Sequence, residues 1–79
     1  FKKMNIAELP IGAMGIIVGF EIVNEFTERL QELGLTPGTT LKIIRRAPFK
    51  GPLEITYGHS SRLAVRPNES TAILVQQIA

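Results

Sequence analysis

Two hydrophobic rhythms run through this chain, a period of two over most of its length and one stretch with a period near 3.6. The first apolar block, LPIGAMGIIVGF from Leu9 to Phe20, begins with the turn residues Pro10 and Gly12 and is broken by Gly15 and Gly19. β-Branched residues interrupted by glycine predict a strand of a tight barrel, bent or closely approached at the glycines. Ile16, Val18, Phe20 and Ile22 fall on one face and Ile17 on the other. Both faces are therefore expected to be covered, one of them by the helix that follows.

That helix begins at Asn24, a good N-cap residue. Phe26, Leu30 and Leu33 recur at i, i+4 and i+7 and make an apolar stripe expected in the core. Glu25 and Arg29 form an i, i+4 pair on the wet side, with Glu25 at the positive end of the helix. Gly34 suits the left-handed C′ position, Leu35 then folds back on Leu30, and Pro37-Gly38 forbid continuation. A helix this short is marginal alone in water, so it must dock on the barrel.

Period two returns after Gly38. Thr40 to Arg46 predicts a strand rich in β-branched residues, and APFKGP (47–52) a loop set by its prolines and Gly51. Leu53, Ile55 and Tyr57 alternate with Glu54 and Thr56, the pattern of a half-buried strand. Gly58-His59-Ser60 make a turn, after which Leu63 and Val65 alternate with Arg62 and Arg66 in a further strand. Pro67-Asn68 break it and leave 68–71 for one 3₁₀ turn; Ala72 to Ile78 close the chain as an apolar strand. The sum is a mainly β domain of about five strands with one helix inserted after the first. A small barrel meets this order best, because closure hides strand edges that a flat sheet exposes.

The blocks LPIGAMGIIVGF, RLQELGLTPGTTLKIIRRAPFKGPLEI and RLAVRPNESTAILV, in this order and spacing, resemble the FeoA domain over nearly the whole chain. The specific parts are Leu33-Gly34-Leu35 with Pro37-Gly38, and Arg46-Ala47-Pro48 followed by Gly51-Pro52-Leu53. Ala64-Val65-Arg66 and Glu69-Ser70 depart mildly from the Ala-Leu-Arg and Glu-Ala more usual in the family. The resemblance implies an SH3-like barrel over residues 4–79 and a cytoplasmic location. It also implies partnership with a membrane ferrous-iron transporter that carries a cytoplasmic GTP-binding domain. A similar barrel is the C-terminal domain of iron-dependent repressors of the diphtheria-toxin-repressor type. On that alternative the chain is a stand-alone relative, binding a peptide or protein in metal-responsive regulation. Phe1–Lys3 are set aside, as the remainder of a trimmed chain or residues added ahead of Met4.

Composition removes several classes of function. Seventy-nine residues allow a single core. With no cysteine there is neither a disulfide nor a thiolate metal site, which fits a reducing compartment. No apolar run is long enough to suggest a signal peptide or membrane span, so no direct membrane insertion is expected. The one histidine, His59, lies in a turn beside Ser60 and Ser61, and no nucleophile–base pair with an orienting partner can be assembled around it. The expectation is a non-enzyme without a cofactor. Scattered carboxylates give no tight iron site within one chain, so His59 is an exposed turn residue or one ligand of an intermolecular site. GAMG lacks the spacing and lysine of a phosphate-cradling loop, which puts any GTP on the partner.

Charge supplies the remaining clue. The net charge is only +2, but 21–32 holds four acids against Arg29, and 42–66 holds six bases against Glu54. The basic block reads as a solvated barrel face or as a docking surface for something acidic. The candidate partner-binding residues are Arg45, Arg46, Pro48, Phe49, Lys50, Tyr57 and Arg66. Phe49, at the loop tip, is either folded back as a lid on the barrel or exposed as an anchor. Tyr57 is either a rim-of-core residue or a partner contact. Without Trp, recognition of proline-rich peptides is discounted. Few aromatics and a low net charge also argue against nucleic acid, so no oligonucleotide binding is expected near physiological salt. Reversing Arg45 and Arg46 to Glu is expected to abolish partner association and leave thermal unfolding nearly unchanged.

Overall fold

The computed structural model describes residues 4–49 and 51–79. In chain order it has β1 (Met4–Asn5), a 3₁₀ turn (Ile6–Glu8), β2 (Met14–Phe20), α1 (Glu25–Glu32) and β3 (Thr40–Arg46). β4 (Leu53–Tyr57), β5 (Ser61–Val65), α2 (Pro67–Ser70) and β6 (Ile73–Gln77) follow. Every pairing is antiparallel, in the order β1-β6-β2-β3-β4-β5. The mainly β class stands, with a two-residue β1 added and an α turn in place of the expected 3₁₀ turn after Pro67. The hydrogen-bonded ladder ends at β1 and β5 and does not close. The sheet still curls, because inward residues from β2 through β6 meet in one buried cluster, in a molecule that measures 28 × 27 × 25 Å. Register shifts between Ile17 and Gly19 and between Ile43 and Arg45 are bulges, which bend their strands.

The strands supply Ile17, Leu41, Ile43, Ile55, Val65, Ile73 and Val75 to one buried cluster. Leu30 of α1 and Leu35 just beyond it close one side. Ile6 and Leu9, both 0% exposed, close another from the N-terminal segment. That segment has a local cause. Asn5 Oδ1 accepts from the Ala7 N–H and Glu8 Oε1 accepts from the Asn5 N–H, each at 3.0 Å, a capping box that winds the 3₁₀ turn.

In β2 the structure overturns cover on both faces. Ile17 is buried opposite Val75, while Val18 is 45% and Ile22 54% exposed, and Ile16 and Phe20 are half-buried. The register with β6 decides which face turns inward, not the number of apolar residues on it. At inward-facing Gly15 a Cβ would lie 3.0 Å from Leu9 Cδ1, so a side chain there would have to push Leu9 aside.

The helix has the predicted ends and a different buried face. Asn24 Oδ1 accepts from the Thr27 N–H at 3.0 Å, and Thr27 Oγ1 accepts from the Asn24 N–H at 2.9 Å. At the other end Gly34 has φ +100°, the Leu35 N–H reaches Leu30 O at 2.9 Å, and the Gly34 N–H reaches Gln31 O at 3.1 Å. Both bonds of a Schellman motif are present. Leu33, however, is 48% exposed, and the buried pair is Thr27 and Leu30. At about 100° per residue, Phe26 points roughly 70° and Leu33 roughly 90° from the centre of that pair. The expected stripe therefore rolls out of the core at Leu33, and Leu35 enters in its place.

Candidate docking surface

The loop between β3 and β4 is held by two backbone bonds. The Ala47 N–H donates to Pro52 O at 3.0 Å across its base, and the Gly51 N–H donates to Pro48 O at 3.1 Å around its tip. Inside this turn Phe49 takes φ +58°, a conformation costly for a bulky residue. Gly51 is a steric necessity, because a Cβ would sit 2.6 Å from Ala47 Cβ and 3.1 Å from Pro48 O. The tight turn throws the Phe49 side chain outward, where it is 99% exposed. The lid reading of Phe49 falls, and the exposed one stands.

Neighbouring arginines have separate tasks. Arg46 Nη2 donates to Ala7 O at 3.2 Å and to Leu9 O at 3.0 Å, so its guanidinium ties the N-terminal segment to β3. Arg45 faces Glu54 across the ladder with Nε 4.0 Å from Oε2, a loose and exposed pair that adds little to stability. Arg66 is exposed just after β5, and its backbone N–H meets Glu69 Oε1 at 3.3 Å. Because Val65 pairs with Leu53, Arg66 stands at the foot of the same loop.

A pocket of about 400 Å³ opens between these parts, lined mainly by Ala7, Arg46, Ala47, Phe49, Leu53 and Pro67. The structure thus brings Arg45, Arg46, Pro48, Phe49 and Arg66 to one end of the barrel. Lys50 lies outside the described residues. Tyr57 lies at the other end of β4, about 13 Å along the strand from Leu53. Its ring packs on the core and its hydroxyl donates to Leu33 O at 3.1 Å. Sequence reasoning missed Ala7 and Pro67 as pocket walls, since nothing local to either residue announces a contact with a loop far along the chain.

His59 is exposed in its turn. Among the described residues no three His, Cys, Asp or Glu side chains converge on a metal-sized site, and no helix is long and apolar enough to cross a membrane.

A small curled antiparallel sheet with a docked helix is the SH3-like architecture. The FeoA domain model matches residues 4–77, and the chain belongs to that family, which is linked to ferrous-iron transport. FeoA of Chlorobium tepidum is 32% identical over 96% of this chain and 71% of its own, with a TM-score of 0.87. FeoA of Stenotrophomonas maltophilia, solved with zinc, is 25% identical over 92% of this chain and 89% of its own, with a TM-score of 0.80. It is described as a prokaryotic SH3 domain protein and a candidate ferrous-iron transport activating factor. A manganese-dependent transcriptional repressor shares the fold at 13% identity and a TM-score of 0.86; the alignment covers 99% of this chain and 38% of the repressor. Comparison with curated protein sequences returns no match.

Proposed function

We propose that this domain is a non-enzymatic cytoplasmic adaptor that docks on the cytoplasmic GTP-binding part of a ferrous-iron transporter and supports Fe(II) uptake. It docks through the end of the barrel that carries the 47–52 loop. The observation behind this is the Phe49 ring, 99% exposed on a turn that holds its backbone at φ +58°. The turn presents the ring outward before any partner arrives, and aromatic anchors that become buried dominate binding energy. The adjoining pocket, walled by Leu53 and Pro67, takes an apolar side chain of the partner in return.

Arg45 and Arg66 rim this end and steer an acidic partner toward it. Arg46 contributes a wall of that pocket while its guanidinium stays tied to the Ala7 and Leu9 carbonyls, and Tyr57, bonded to Leu33 O at the far end of β4, lies outside the contact set. Iron is the transporter's cargo and GTP the transporter's ligand; the adaptor contributes shape and charge. The repressor-type alternative rests on likeness of fold alone and gains no separate observation.

The test is the double variant Arg45→Glu, Arg66→Glu, measured against the isolated cytoplasmic domain of the transporter. Association should slow about tenfold at low salt, with the melting temperature lowered only slightly, by repulsion across the ladder between Glu54 and the carboxylate placed opposite it. Undiminished association would place the interface elsewhere. Arg46 is left intact in this test because its reversal would also loosen the N-terminal segment.

A further inference from the structure

A second surface lies along the open edge of the sheet, which runs from the Gly58–Ser60 turn toward the foot of the 47–52 loop. β5 pairs on one side with β4, from Leu53↔Val65 to Tyr57↔Ser61, and among the described residues no backbone hydrogen bond reaches its other side. The opposite end of the sheet, β1, has two residues before the chain turns away. β5 offers five residues with no proline and no bulge. An unpaired edge of this length is a template for another strand.

Two cross-strand rows say which strand fits. On the inner face Ile43, Ile55 and Leu63 lie side by side. The first two are 0% exposed, but Leu63, at the edge, is only half-buried. On the outer face Lys42, Thr56 and Arg62 form the matching row. Lys42 and Arg62 are both exposed, and neither has an ion-pair partner among the described residues. Their backbones stand about 10 Å apart, flanking a basin of about 480 Å³ between Thr56 and the Gly58–Ser60 turn.

The geometry points to β5 as the acceptor of an extended protein segment with alternating acidic and apolar side chains, added as a further strand. Its acidic positions lie opposite Arg62, and its apolar positions cover Leu63. Charge decides the occupant, since the outer face of β3, β4 and β5 sets Lys42, Arg45 and Arg62 against Glu54 alone. A second copy of this chain would set two such basic faces side by side and is the poorer fit.

The test uses the whole chain and two short labelled peptides, one alternating Glu with Val and the other Lys with Val. Fluorescence anisotropy reads affinity, amide exchange reads location, and sedimentation reads the oligomeric state. The Glu/Val peptide should bind, protect amides within 61–65, and bind about tenfold more weakly to Arg62→Glu. That variant should gain affinity for the Lys/Val peptide, and Phe49→Ala should leave both affinities unchanged. No binding of the Glu/Val peptide at millimolar concentration would overturn the inference, as would indifference to Arg62→Glu or protection confined to the 47–52 loop. A dimer through β5 that the peptide fails to dissociate would assign the edge to a second copy instead.

Discussion

β4 has an aromatic residue and a chain reversal at each end, and the two ends are put to opposite use. At the Tyr57 end the ring packs on the core, and its hydroxyl satisfies Leu33 O, one of the carbonyls left over where α1 stops. At the Leu53 end the chain is turned so tightly that Phe49 is held out in water on a strained backbone. One aromatic completes the fold, while the other is kept out of it at a conformational cost. The same difference separates adjacent Arg46 and Arg45, the first tied to two carbonyls and the second loosely paired at the surface. Residue type does not distinguish the two arginines, and of the two aromatics only Tyr57 carries the hydroxyl that its neighbouring backbone uses.

The contrast is most exposed at Gly51. Gly51→Val drives a Cβ into Ala47 Cβ and Pro48 O, and chemical denaturation should show a loss of about 2–3 kcal/mol. A variant as stable as the parent would mean that the loop is slack and Phe49 unconstrained. Arg46→Ala strands the Ala7 and Leu9 carbonyls and should cost about 2 kcal/mol, whereas Arg45→Ala should stay within about 0.5 kcal/mol. Equal losses from the two would erase their division of labour. Tyr57→Phe removes a single hydrogen bond and should cost about 1 kcal/mol, with no effect on docking. Phe49→Ala should change stability least, by no more than about 0.5 kcal/mol; a large loss would show the ring serving the fold after all.

What could be read from the sequence was what is decided locally. Asn24, Gly34 and Leu35 set the helix ends through contacts within a few residues, and the alternation in Leu53–Tyr57 set β4. What could not be read was decided between distant residues. Leu33 is exposed because Thr27 and Leu30 face a core built by strands elsewhere. Ile6 and Leu9 were passed over, although the Asn5–Glu8 spacing of a capping box was there to be seen. Arg46 is bound to Ala7 and Leu9, far earlier in the chain, so its structural task has no local mark. For the candidate surface, the charge and the loop were legible, but not the pocket walls or the outward turn of Phe49, which depends on how closely Gly51 lets the chain fold on Ala47.

Calorimetric titration of the parent chain, Phe49→Ala and Tyr57→Phe against the isolated GTP-binding domain of the transporter is the most direct test of docking through the loop end. Phe49→Ala should bind at least about tenfold more weakly, and Tyr57→Phe should match the parent. Parental affinity in Phe49→Ala would contradict the account.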